Sequence, residues 1–102
     1  YGAMKAALLN YFGNLAQELA PLNIRVNTVS PGPIFIDGGA WDQIKQVMPE
    51  IYESTVAAIP KGRMGSAEEV CVQVALLLSP LSAYTTGTNV VIDGGFTKRI
   101  QF

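Results

Sequence analysis

Two β-branched runs bracket an amphipathic helix, and that succession constrains the fold more than any other feature of the chain. Residues 24–29 alternate apolar and polar types through Ile24, Val26 and Thr28 and read as a strand. Pro31 and Gly32 stop it, since one cannot donate to a ladder and the other favours a turn. Ser66-Ala67-Glu68-Glu69 is a capping-box sequence, with Ser66 as N-cap and Glu69 at the third helical position. The helix it opens is predicted to run to about Ser79, with Ala67, Val70, Cys71, Val74, Leu77 and Leu78 on one face, and to stop at Pro80. Residues 89–93 form a second predicted strand, closed by Gly94-Gly95. A strand, a crossover helix and a strand predict an α/β fold with parallel strands and a right-handed connection. Ligands of open α/β sheets sit at the carboxyl ends of strands, so the Pro31-Gly32 turn is the first place to look for a site.

Residues 2–20 read as one helix whose apolar positions, among them Leu8, Tyr11, Leu15 and Leu19, cover most of its circumference. Such a helix is expected to be buried on more than one side. Pro21 ends it. From Pro33 to Met64 the pattern is irregular. Gly38-Gly39 is a flexible joint, and Trp41, Ile44, Val47, Met48, Ile51 and Tyr52 recur at near-helical spacing. Pro49 interrupts that run, which predicts two short helices. A connector of this length reads as a lid or binding loop, assigned to residues 36–64; a surface excursion packed on the body is the alternative.

The chain has 102 residues, enough for one small domain at most. Its formal charge is −1 and its seven Lys and Arg are scattered, which argues against nucleic acid or a membrane surface as partner. With no His and one Cys, the sequence offers no His-based catalysis, no zinc site of the usual ligand sets and no internal disulfide, and no metal ligand is assigned. Cys71, among valines, is expected to be a buried, inert thiol. The longest apolar run, Val74 to Leu78, is too short to span a bilayer, and a cytoplasmic setting is expected. The chain opens with Tyr rather than Met, is 49% hydrophobic, and supplies only two parallel strands, fewer than a stable sheet needs. These features lead to the expectation that 1–102 is the C-terminal portion of a longer chain whose remaining strands lie upstream.

Tyr1 and Lys5 would lie one turn apart on a single helix face. A phenol is a poor acid-base group at neutral pH, and a nearby ammonium favours its ionised form. By itself the pair is an ordinary helix-surface arrangement. It stands, however, at the head of five blocks in fixed order: Tyr1-Gly2-Ala3-Met4-Lys5, Glu18-Leu19-Ala20-Pro21, Ile24-Arg25-Val26-Asn27-Thr28-Val29-Ser30-Pro31-Gly32, Gly62-Arg63-Met64-Gly65-Ser66-Ala67-Glu68-Glu69-Val70 and Thr86-Gly87-Thr88-Asn89-Val90-Val91-Ile92-Asp93-Gly94-Gly95. Together these blocks resemble the short-chain dehydrogenase/reductase family, and within it the 3-oxoacyl-(acyl carrier protein) reductase-like members.

The resemblance implies a doubly wound parallel sheet and hydride transfer between NAD or NADP and a carbonyl or alcohol substrate. By that likeness Tyr1 is the general acid/base, while Lys5 holds the nicotinamide ribose hydroxyls and favours the phenolate. Tyr1, Lys5, Pro31, Gly32, Ile34 and Ile36 form the implied cofactor-binding set, with the backbone near Ile34 bonding the carboxamide. Ile36 departs from the pattern: relatives often carry Thr there, and an alkyl side chain has no hydroxyl to offer. Trp41, Met48, Ile51 and Tyr52 give the lid an apolar surface for substrate. The family's Gly-rich pyrophosphate loop, its NAD/NADP-selecting residue and its catalytic Ser and Asn would all precede Tyr1. Gly38-Gly39 follows no suitable strand–helix turn and cannot replace that loop. The 102 residues alone are therefore expected to be inactive, and the parent enzyme to be a homo-oligomer, dimer or tetramer, joined through its apolar helices. The alternative reading is a non-catalytic fragment or self-association module derived from that fold. Gly94-Gly95 and Arg63 are equally well explained by turn chemistry and by ion pairing.

Overall fold

A computed structural model describes residues 1–98 and Ile100; Arg99, Gln101 and Phe102, the end of the expected domain, lie outside the described residues. Helix α1 spans Gly2–Leu19 and passes into a short 3₁₀ turn at Ala20–Leu22, in which Pro21 takes an early position that needs no amide donor. Asn23 then reverses the chain in the left-handed region, at φ 59°. Strand β1 is Thr28–Pro31, followed by helices α2 (Ala40–Val47) and α3 (Pro49–Ala58). Helix α4 is Ala67–Leu78, and strand β2 is Asn89–Ile92 after a 3₁₀ turn at Pro80–Ser82.

β1 and β2 pair in one two-stranded sheet. Gly87 N–H donates to Val26 O at 2.8 Å and Thr28 N–H to Thr88 O at 2.9 Å, so both chains advance in the same direction. The predicted parallel pair is present, but its first strand begins later than predicted. Residues 24–27 are extended without belonging to the sheet, because their partners are a loop. Val26 N–H donates to the Thr86 hydroxyl, and the Asn27 amide donates to Thr85 O. Pro31 ends the strand from within it, where its missing donor costs no ladder bond.

Two units of dense internal packing divide the chain. The first comprises Tyr1–Ser30 and Gln73–Val90. Ala16, its buried apolar centre, faces the backbone of Gly87. Arg25 reaches the carbonyls of Leu77 at 2.7 Å and of Ser79 and Thr85 at 3.3 Å, supplying donors to the carbonyls at the end of α4. The broad apolar surface of α1 is exposed in this chain: Met4, Leu8 and Tyr11 are 75, 47 and 59% accessible. Val72, Leu76 and Leu78 of α4 are exposed as well, and so is Cys71, which corrects the expectation of a buried thiol. The helical stripe that contains Cys71 is half-buried at Ala67, Val70 and Leu77 and exposed at Cys71, Val74 and Leu78.

The second unit comprises Pro31–Val72 and the chain from Val91 onward. Its buried side chains include Pro33, Ile59 and Met64. α2 and α3 pack on each other, and Pro49 starts α3 as predicted, in the first turn where a missing N–H is tolerated. Among the described residues no helix is long and apolar enough to cross a membrane.

Candidate functional site

Tyr1 sits at the N-cap position of α1, and its carbonyl accepts the Lys5 N–H at 3.1 Å. Helical geometry then brings the two side chains onto one face. The Lys5 ammonium lies 5.4 Å from the centre of the Tyr1 ring, within range of a cation–π attraction. The ring is 95% exposed, so among the described residues the phenol is free to meet a ligand.

In the second unit the chain leaving β1 is fixed by its neighbours. Gly32 N–H donates to Ile92 O at 2.8 Å. A Cβ on Gly32 would lie 2.5 Å from the Asp93 Cβ and 2.9 Å from its Cα. Only glycine fits, and the reason is a neighbouring backbone. Asp93 in turn organises the bend after β2, accepting Gly95 N–H at 2.9 Å and Thr97 N–H at 2.8 Å. Thr97, through side chain and backbone, holds the Asp93 carboxyl below the usual range, helped by the amides of Gly95 and Phe96. Gly94 and Gly95 both have positive φ there, which accounts for the pair as turn chemistry.

Pro33 is buried, and residues 33–35 pair with Gly65 in an isolated parallel bridge. Gly65 N–H donates to Pro33 O at 3.0 Å and Phe35 N–H to Gly65 O at 2.9 Å. Ile34 lies between those bonds, and its own N–H and C=O take no partner among the described residues. That donor and acceptor suit a planar amide such as a carboxamide. Ile36 is 52% exposed, and its carbonyl accepts Gly39 N–H at 2.8 Å. Gly38 N–H goes to the Asp42 carboxylate at 2.8 Å, the main influence holding that carboxyl below its ordinary range. The Gly38-Gly39 amides are thus occupied, one by an anion, and do not make a phosphate cradle. Ile34 thus offers an open donor and acceptor for a carboxamide, whereas the Gly38-Gly39 amides offer nothing to a pyrophosphate.

The four lid residues lie on or beside α2 and α3. Trp41 and Tyr52 are half-buried, while Met48 and Ile51 are each 46% exposed. Tyr52 meets Phe35 edge to face, with centroids 6.2 Å apart. The Lys45 ammonium stands 5.5 Å from the Phe35 ring and 5.1 Å from that of Tyr52. Sequence reasoning missed this bracket, since the three residues share no periodicity. It also missed the full partnership of Arg63, whose guanidinium forks onto Glu69 at 2.7 and 2.9 Å and donates to Met64 O at 3.1 Å. The capping box itself is present in both halves. Ser66 N–H donates to Glu69 at 2.9 Å, and Glu69 N–H to the Ser66 hydroxyl at 3.3 Å. Arg63 and the Ser66 amide hold the Glu69 carboxyl down at about 2.

The sequence profile described as enoyl-(acyl carrier protein) reductase matches residues 1–97. An isoepoxydon dehydrogenase of Aspergillus clavatus is 44% identical over the whole chain, which spans 39% of that protein. A 3-oxoacyl-(acyl carrier protein) reductase of Vibrio cholerae is 38% identical over 95 residues, covering 93% of this chain and 37% of its own length. The crystal structure of YwfH, an NADPH-dependent reductase involved in bacilysin biosynthesis, superposes with a TM-score of 0.85 at 39% identity. That match covers 96% of this chain and 39% of YwfH. The parallel pair and its helices are thus the corresponding part of a Rossmann-like α/β fold. On this evidence the chain belongs to the short-chain dehydrogenase/reductase family, in the group that the enoyl-(acyl carrier protein) reductase profile describes.

Proposed function

We propose that the protein to which these residues belong is an NAD(P)-dependent oxidoreductase acting on a carbonyl or alcohol. The observation that carries this reading is the exposed Tyr1 phenol with the Lys5 ammonium beside its ring, in a chain of this family. A bound nicotinamide supplies or receives the hydride. Tyr1 donates its hydroxyl proton to the carbonyl oxygen in reduction and takes it back in oxidation. Lys5, its ammonium beside the Tyr1 ring, binds the ribose hydroxyls. Pro31 and Gly32 pass beside the cofactor, the Ile34 N–H and C=O bond its carboxamide, and Ile36 contributes van der Waals contact alone. Residues 36–64 act as the substrate lid, with Trp41, Met48, Ile51 and Tyr52 as its apolar lining. The pyrophosphate cradle and a substrate-orienting hydroxyl come from outside these 102 residues, which by themselves do not turn over.

The exposed apolar faces of α1 and α4 favour a homo-oligomer in the whole protein. In that protein Tyr1→Phe is expected to lower turnover by about 10²–10⁴-fold, the usual worth of a positioned acid/base, with cofactor affinity retained. Turnover kept at the wild-type rate would remove Tyr1 from this role.

A further inference from the structure

Gly65 joins two arrangements that otherwise look separate. On one side its N–H and C=O pair with Pro33 and Phe35, the residues flanking Ile34. On the other side, the peptides before and after it are held by one ion pair. Arg63 donates to the Met64 carbonyl, and Glu69 accepts the Ser66 N–H. The two side chains close the loop on each other through a bidentate fork, the strongest geometry open to such a pair. The two segments lie close: a Cβ on Gly65 would lie 2.7 Å from the Ile34 Cδ1, so that side chain would have to turn aside.

We propose that Arg63 and Glu69 are positioning residues for the nicotinamide carboxamide, acting through Gly65 to hold the Ile34 N–H and C=O in place. This rests on the cofactor role proposed for Ile34. A helix cap needs only Ser66 and Glu69; the arginine adds a grip on the Met64 carbonyl and fixes the carboxylate that holds Ser66. If Arg63 is lost, the Met64 carbonyl loses its donor and Glu69 its partner, leaving only the Ser66–Glu69 cap behind Gly65, and the 33–35 segment samples orientations in which the carboxamide finds one hydrogen bond or none.

Two measurements on the full-length protein test this. Amide hydrogen exchange reads the clamp whether or not a cofactor binds. Arg63→Met should speed exchange at Gly65 and Phe35 by about two- to five-fold, the scale set by a half-exposed ion pair in good geometry. Arg63→Lys should restore protection in part, because it keeps the charge without the fork. Titration with NADPH and with NADH reads the consequence: KM and Kd for the cofactor should rise by a similar factor in Arg63→Met while kcat changes little. Unchanged exchange at Gly65 and Phe35 would overturn the clamp. Faster exchange with unchanged cofactor Kd would overturn its positioning role and leave a structural helix cap. A wild-type protein that binds neither dinucleotide would sink the functional reading instead, with the exchange result still deciding the clamp.

Discussion

The first turn of α1 presents Tyr1 and Lys5 on the backbone bonds of a single helix, with the phenol 95% exposed. Residues 32–35 are gripped from two neighbours at once, by Ile92 and Asp93 on one side and by Gly65 on the other. Both regions carry residues assigned to the same chemistry, yet they obtain their order differently. Regular i,i+4 geometry suffices to pair two side chains, whereas an extended segment without a strand of its own needs every peptide tied. Substitutions should therefore separate: those in the helical turn lower turnover with little change in stability, and those around the loop loosen the fold and, through it, cofactor affinity.

The sharpest test of that contrast sets Tyr1→Phe against Gly32→Ala. The first should leave the melting temperature of the protein unaltered while turnover collapses. The second forces a methyl into the Asp93 backbone and should destabilise by about 1–3 kcal/mol, the cost of overpacking a tight site. Thermal unfolding followed by circular dichroism measures both, and an unshifted melt for Gly32→Ala would show that the loop yields more easily than its contacts imply.

Acid should act next, on the tied region. Glu69 is held at about 2, below its ordinary 4.5, so its contribution is complete above pH 4.5 and fades as pH falls toward 2. Asp93 is shifted in the same direction and adds to the same trend. Exchange protection at Gly65 and Phe35 should decline across that window, and Glu69→Gln should flatten the decline. An equally steep profile in that variant would assign the acid effect to other carboxylates.

The smallest effect is expected at the aromatic bracket. Lys45→Met removes a cation shared by Phe35 and Tyr52 and should cost about 0.5–1 kcal/mol, the range for exposed cation–π contacts. Chemical denaturation of the two proteins would resolve it; no difference would mean that the edge-to-face ring contact alone holds Phe35.

What could be read from the residues followed from the range of each interaction. The capping box, the proline stops and the Tyr1–Lys5 pair all act within one helical turn, and each appears where the spacing predicts. The start of β1 was misplaced because residues 24–27 alternate like a strand while bonding to Thr85, Thr86 and Gly87, a loop some sixty positions away. Gly32 was singled out, but for closeness to a cofactor, when the backbone of Asp93 already demands it. The exposure of Cys71 could not be foreseen from an apolar stripe, since a stripe says that a face wants covering and not that it is covered. Arg63, Lys45 and Arg25 all work through folded proximity, which no local pattern encodes.

Arg25 carries a consequence of its own. By donating to Leu77, Ser79 and Thr85, one guanidinium joins the end of α4 to the chain entering β1 and to the loop before β2. Fraying of that helix terminus cannot then be a private event, because releasing its carbonyls also frees the residues that lead into the sheet. The three segments should open and close in concert, with a common protection factor, as one foldon stitched by a single side chain.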